Sequence, residues 1–179
     1  MSRGVIFIVW GQEADNVLAR SIRSLETIHP ELNYEVFRLP FMDENTEPFR
    51  GLLEKSRMME KTPFSETLFL DADTVVLDRL DFGFEKARQF GLACCICECP
   101  WARRYQGLPQ DDAIEYNTGV LFFTRKTAQV FELWQKYAFS MNSAIKLVNP
   151  AGQLAVMPYN DQASFAKAAR SALFHLRMG

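Results

Sequence analysis

Apolar positions in this chain fall into two rhythms. Short runs with little polar interruption, Val5 to Trp10, Tyr34 to Leu39, Thr67 to Leu70, Gly91 to Cys97 and Gly119 to Thr124, have the length and composition of buried strands. Between them, Ala14 to Ile28 carries Val17, Leu18, Ile22, Leu25 and Ile28 at the spacing of one helix face, and similar spacing predicts helices over Gly51 to Lys61, Phe84 to Phe90, Thr127 to Tyr137 and Asp161 to Ala172. Prolines punctuate the series: His29-Pro30 and Thr62-Pro63 end helices, Pro40 to Pro48 is a polar connector, and Pro100 to Asp112 is a long charged loop of the kind that often carries function. Leu173 to Met178 reads as a last strand. Repeated strand and helix alternation predicts an α/β layered domain.

With 179 residues, 48% hydrophobic and 13% aromatic, the chain can bury one good core, so residues 1–179 are expected to form a single domain. The 20 basic and 22 acidic residues nearly cancel without forming a block, which argues against a nucleic-acid stripe or a polybasic membrane contact. Val5 to Trp10 is too short for a signal core or a membrane span, so a cytoplasmic protein is expected. The four cysteines, Cys94, Cys95, Cys97 and Cys99, crowd into one strand-like stretch, unlike a disulfide framework. Cys95, Cys97 and Cys99 would share a face and leave a soft-metal site open. Structural zinc, however, draws cysteine pairs from two places, and the preferred reading is buried, reduced thiols.

Candidate chemistry centres on Leu68-Phe69-Leu70-Asp71-Ala72-Asp73-Thr74. An apolar strand delivers two carboxylates at its C-terminal end, where open α/β sheets form their ligand crevice. Asp71 and Asp73 can approach a hard divalent cation, Mn2+ or Mg2+, which would neutralise a bound diphosphate; the same pair also reads as an ordinary turn with local backbone bonds. In Glu115 to Phe123, Asn117 offers a donor and an acceptor for sugar hydroxyls, and Gly119 lets backbone come close to a ligand, although a plain turn before a strand explains both. In Pro158 to Phe165, Asp161 and Gln162 open a helix, where Asp161 serves either as an N-cap or, with Gln162, to orient an acceptor hydroxyl or the transferring sugar.

These three motifs, in this order, resemble the GT-A glycosyltransferases of the glycogenin and lipopolysaccharide-galactosyltransferase type. The resemblance spans Val5 to about Leu176 but is specific only at the motifs. It implies a single-domain, Rossmann-like GT-A fold with a central mixed, mostly parallel sheet flanked by helices. It further implies transfer of a hexose-like sugar from a nucleotide-diphosphate sugar, with uridine the favoured base, to a sugar, glycan or small-molecule acceptor. By the same resemblance Asp71 and Asp73 bind the metal, and Ala72, Asn117, Thr118 and Gly119 contact the donor. Lys55 lies near the diphosphate or sugar, with Arg57 and Arg50 as weaker candidates. Val9, Trp10 and Gly11, in a loop running on to Glu13, line the base, while Asp161 and Gln162 form the catalytic pair. The first loop lacks the family's threonine-rich pattern, and no C-terminal histidine stands in the setting of the family's third metal ligand, His175 included. A reduced acceptor region, or one completed by a partner or a second copy, is therefore expected. Two rivals stand beside this reading: a nucleotide-sugar-binding module without turnover, and a haloacid-dehalogenase-type phosphatase with Asp71 as nucleophile. Asp81-Phe82-Gly83 mimics a kinase metal motif, but no Gly-rich loop accompanies it.

Overall fold

The computed structural model describes residues 2–11, 14–40, 50–97, 114–148, 152–157 and 159–177, with backbone alone at 50, 145–148, 155, 157 and 173–177. Five strands form the main sheet: β1 (Arg3–Val9), β2 (Asn33–Arg38), β3 (Glu66–Leu70), β4 (Leu92–Ile96) and β5 (Tyr116–Thr124), in the order β2-β1-β3-β5-β4. β1 pairs parallel with β2 on one side and with β3 on the other, whereas β5 runs antiparallel to both its neighbours. A single reversed strand thus makes the sheet mixed.

The uninterrupted apolar runs follow from burial of both sheet faces. Val5, Phe7 and Val9 of β1, with Leu68 and Leu70 of β3, pack under helices α1 (Ala14–Ile28) and α4 (Asp81–Phe90), through Leu18, Leu25, Phe84 and Ala87. The alternate residues Ile6, Ile8, Phe69, Leu121 and Phe123 face α5 (Ala128–Ser140) and α6 (Asp161–Arg177), where Phe131, Trp134 and Phe165 fill the layer. Edge-to-face rings lock this packing: Phe84 of α4 meets Phe122 of β5 at 5.1 Å across the helix–sheet contact, and Trp134 of α5 meets Phe165 of α6 at 4.7 Å between centroids.

Four expectations need correction. The helix expected over Gly51 to Lys61 is broken: α2 (Arg50–Glu54) and α3 (Met58–Lys61) are joined by a 3-10 turn, Lys55–Arg57, which tightens the winding and turns both Lys55 and Ser56 inward. The closing strand is not formed, because α6 runs on to Arg177; its alanine-rich stretch meets no breaker at residue 172. A hairpin of β6 (Ile145–Val148) and β7 (Leu154–Met157) occupies a stretch to which no element was assigned. Among the cysteines, Cys97 is buried and Cys94 half-buried, with burial pushing the Cys94 thiol up to about 12, but Cys95 on the edge strand β4 is exposed. Cys99, the Pro100 to Asp112 loop and residues 41–48 of the Pro40 to Pro48 connector lie outside the described residues. Among those described, no helix is long and apolar enough to cross a membrane.

Candidate functional site

β1 lies between β2, its successor in sequence, and β3, which follows on the opposite side. Crossovers departing to opposite sides leave a crevice at the carboxyl ends of β1 and β3, the switch point where α/β sheets receive ligands. An open pocket of about 270 Å³ occupies it, lined by Ile8, Val9 and Trp10 after β1, Ala14 and Val17 of α1, Leu52 and Lys55, and Asp71, Ala72 and Asp73 after β3. The Trp10 ring lies flat against Gly51, where an added Cβ would stand 2.2 Å from it. Gly11 takes a left-handed φ of +85° at the turn beyond, outside the pocket wall; Gln12 and Glu13 fall outside the described residues.

The reversed direction of β5 gathers the motifs. Leu70 pairs with Val120, so the start of β5 lies beside the end of β3, and Asp71 N–H donates to the Gly119 carbonyl at 2.8 Å. A Cβ on Gly119 would stand 2.7 Å from Asp71 Oδ2. The glycine therefore makes room for the Asp71 carboxylate. Asn117 Oδ1 accepts the Gly119 N–H at 2.7 Å, which leaves its amide nitrogen to donate elsewhere.

Lys55 enters from the 3-10 turn and is only 3% exposed. Its ammonium lies 2.6 Å from Asp71 Oδ1 and 2.9 Å from Oδ2, and 3.1 Å from Asp161 Oδ2. Thr118 Oγ1 donates to that same Asp161 oxygen at 2.7 Å. Burial pulls the Lys55 pKa down, but the Asp161 and Asp71 carboxylates outweigh it and hold the ammonium above the usual lysine range. Burial raises the Asp71 carboxyl, Lys55 pulls it back, and the Asp161 and Asp73 charges raise it further. Asp73 is exposed and takes no hydrogen-bond or ion-pair partner among the described residues.

Asp161 is not the helix cap. Asn160 holds that position, its Oδ1 accepting the N–H groups of Gln162 at 2.9 Å and Ala163 at 3.3 Å, and this releases the Asp161 side chain toward Lys55. Trp134 Nε1 donates to the Asp161 carbonyl at 3.2 Å and to Ser164 Oγ at 3.0 Å, fixing the helix start against α5. Gln162 Oε1 is buried with no hydrogen-bond partner among the described residues.

The segment carrying both carboxylates is anchored at two depths. Thr74 bonds back to the Asp71 carbonyl through its N–H at 3.1 Å and through its hydroxyl. Farther on, Val76 N–H donates to Ser24 Oγ at 2.9 Å, and Leu80 N–H to Nε2 of the buried His29 at 2.8 Å. Because Nε2 accepts, Nδ1 carries the hydrogen that binds Glu31 at 2.9 Å.

No known family profile matches the sequence, and no curated protein matches it. Solved structures do. The galactosyltransferase LgtC, crystallised with donor and acceptor sugar analogs, superposes with a TM-score of 0.59 at 17% identity, covering 93% of this chain and 70% of that one. The chain has the GT-A fold. An active-site mutant of LgtC gives 0.52 at 19% identity over 76% of this chain and 64% of that one. A glycosyltransferase involved in the glycosylation of the major capsid of PBCV-1 gives 0.51 at 15% identity over 79% and 68%.

Within this GT-A sheet the expected residues occupy three tiers. Val9, Trp10, Lys55, Asp71, Ala72 and Asp73 line the pocket itself. Asn117, Thr118, Gly119 and Asp161 stand behind it: Gly119 bonds Asp71 through its carbonyl and Asn117 through its N–H, while Asp161, held by Thr118, connects to Asp71 through Lys55. Gly11 and Gln162 lie outside its wall, and Arg57 pairs with Glu54 at 3.5 Å instead of facing the pocket. The side chains of Arg50 and His175 are not among those described. Sequence reasoning missed the Asn160 cap, the Trp134 brace and the Ala14, Val17 and Leu52 walls. Only the first had a readable signal, an Asn immediately before a helix. Among the described residues no three His, Cys, Asp or Glu side chains converge on a metal position.

Proposed function

We propose that this chain transfers a hexose from a nucleotide-diphosphate sugar, with UDP the favoured carrier, to the hydroxyl of a sugar, glycan or small-molecule acceptor. The observation that carries the proposal is the placement of Asp71 and Asp73 in the switch-point pocket that Val9 and Trp10 also line with apolar surface. A base can rest on that surface while the diphosphate extends toward the carboxylates. The fold shared with LgtC, a galactosyltransferase crystallised with donor and acceptor sugar analogs, supports the same reading.

Two hard carboxylate oxygens suit Mn2+ or Mg2+, ions that complete their shells with water and substrate phosphates rather than with an all-protein cage. Asp73, exposed and without a partner among the described residues, can hold such an ion without rearrangement, with Asp71 as second ligand. When bound, the cation would stabilise the charge that develops on the departing diphosphate. Thr118 and Lys55 hold the Asp161 carboxylate in one orientation, from which Asp161 with Gln162 would position the transferred sugar. Ala72, Asn117 and Gly119 shape the donor side.

Thermal shift with UDP, UDP-glucose and UDP-galactose, with and without Mn2+, followed by measurement of released UDP, tests the proposal. Metal-dependent stabilisation with slow UDP release is the expected result, and Asp73→Asn removes the metal effect. Stabilisation without turnover indicates a binding module, and phosphate release from monoesters indicates the phosphatase. A metal effect unchanged in Asp73→Asn would refute the site assignment.

A further inference from the structure

The Lys55 ammonium stands where a cation would stand. At 2.6 and 2.9 Å it engages both oxygens of Asp71, one of the two carboxylates proposed above to meet the divalent ion. A second receptor lies within reach, since Asp161 Oδ2 is 3.1 Å from the same nitrogen. The lysine is held within the site: it is 3% exposed, and its ammonium sits 5.6 Å from the centre of the buried Phe69 ring. Asp73 differs from Asp71 in being exposed and unpaired among the described residues.

We infer that Lys55 is a tethered counter-cation that competes with the divalent ion for Asp71 and is handed to Asp161 when the ion loads. The inference rests on the metal reading given above and adds to it a regulation of that site. Two positive charges sharing one carboxylate at low local dielectric repel strongly, so Asp71 cannot serve both in full. Without donor, the ion gains only Asp73 and a contested Asp71, and binds weakly. A diphosphate brings negative charge that offsets the repulsion, so ion and donor load together. The handover also alters Asp161 at the head of α6, so occupation of the metal position is felt on the side of the transferred sugar.

Titration of Mn2+ alone into the full chain, followed by the electron paramagnetic resonance signal of free Mn2+, tests this. Lys55→Gln removes the competing charge, and Mn2+ should bind it at least about tenfold more tightly than the wild type. Adding Asp71→Asn to Lys55→Gln should cancel the gain. Equal affinity in wild type and Lys55→Gln, or a gain that survives Asp71→Asn, overturns the inference while leaving the metal reading intact. Absence of Mn2+ binding in both proteins, even with UDP present, overturns both. Should Lys55→Gln not fold, the wild type carries the test by NMR: added Mg2+ should move the Lys55 Nζ and Asp161 Cγ resonances with the midpoint seen for Asp71 Cγ. A Lys55 resonance that stays fixed while Asp71 moves overturns the handover.

Discussion

Gly119 illustrates how a residue can be singled out correctly for an incomplete reason. A glycine before a buried strand suggests close approach of backbone to something, and the sequence offers a ligand as that something. The structure supplies the Asp71 carboxylate, 2.7 Å from where a Cβ would stand, with Asn117 Oδ1 at 3.1 Å on another side. Neither neighbour yields easily, because Asp71 Oδ2 is held by Lys55 at 2.9 Å and Asn117 Oδ1 by the Gly119 N–H at 2.7 Å. Gly119→Ala is therefore expected to cost about 1–3 kcal/mol, the usual penalty for overpacking a filled site. On the proposed function it should also weaken Mn2+-dependent binding of UDP-sugar beyond what the stability loss explains. Urea denaturation and thermal shift on the same variant check the two halves. Normal stability with normal metal response would show that Asp71 can move aside freely.

At the scale of elements, periodicity was a reliable guide where an element buries one continuous stripe, as in α1, which matches Ala14–Ile28 at both ends. It misled where the deciding force came from elsewhere. The break at Lys55–Arg57 is invisible in the pattern Leu52, Leu53, Met58, Met59, since what draws Lys55 inward is a pair of carboxylates distant in sequence. At the start of α6 the cap expectation falls on Asp161, although the adjacent Asn160 is an equally good cap and only one can occupy the position. With Asn160 serving as cap and its N–H donating to Ser143 Oγ at 2.9 Å, Asp161 is free to face the site. Asn160→Ala should cost about 1 kcal/mol through the lost cap. Asp161 would then compete for the cap position, so the proposed sugar transfer should fall more steeply than stability. Asn160→Ser, which restores a capping oxygen, should recover most of both, and UDP release rates beside urea midpoints for the two variants decide it.

The whole molecule depends on one topological fact that no local pattern reveals, the reversed course of β5. A fully parallel sheet would carry Asn117 to Gly119 to the end of the sheet opposite Asp71, and the motifs would never meet. The two ends of the finished sheet also carry different ion pairs, and pH acts on them in opposite ranges. At the start of β3, Arg88 grips the buried Glu66 at 2.8 and 3.0 Å, and Arg3 adds a third contact at 3.3 Å. The Arg88 and Arg3 bonds outweigh burial and hold the Glu66 carboxyl below its ordinary 4.5. A depressed carboxyl contributes stability that is complete above its unfolded value and lost as pH falls through its folded value. At the other end Lys55 titrates above its ordinary 10.5, so its contribution is complete below that value and lost as pH rises through the folded one. The stability profile should thus have an acid limb to which Glu66 contributes and an alkaline limb that Lys55 shares with the half-buried Cys94, whose raised thiol also costs stability as pH rises. Urea denaturation between about pH 3 and pH 6 should show a positive slope in the wild type that is shallower in Glu66→Gln. The same substitution should leave the alkaline limb untouched, because the Glu66 cluster makes no described contact with Lys55. An acid slope identical in wild type and Glu66→Gln would place the acid-sensitive group elsewhere in the chain.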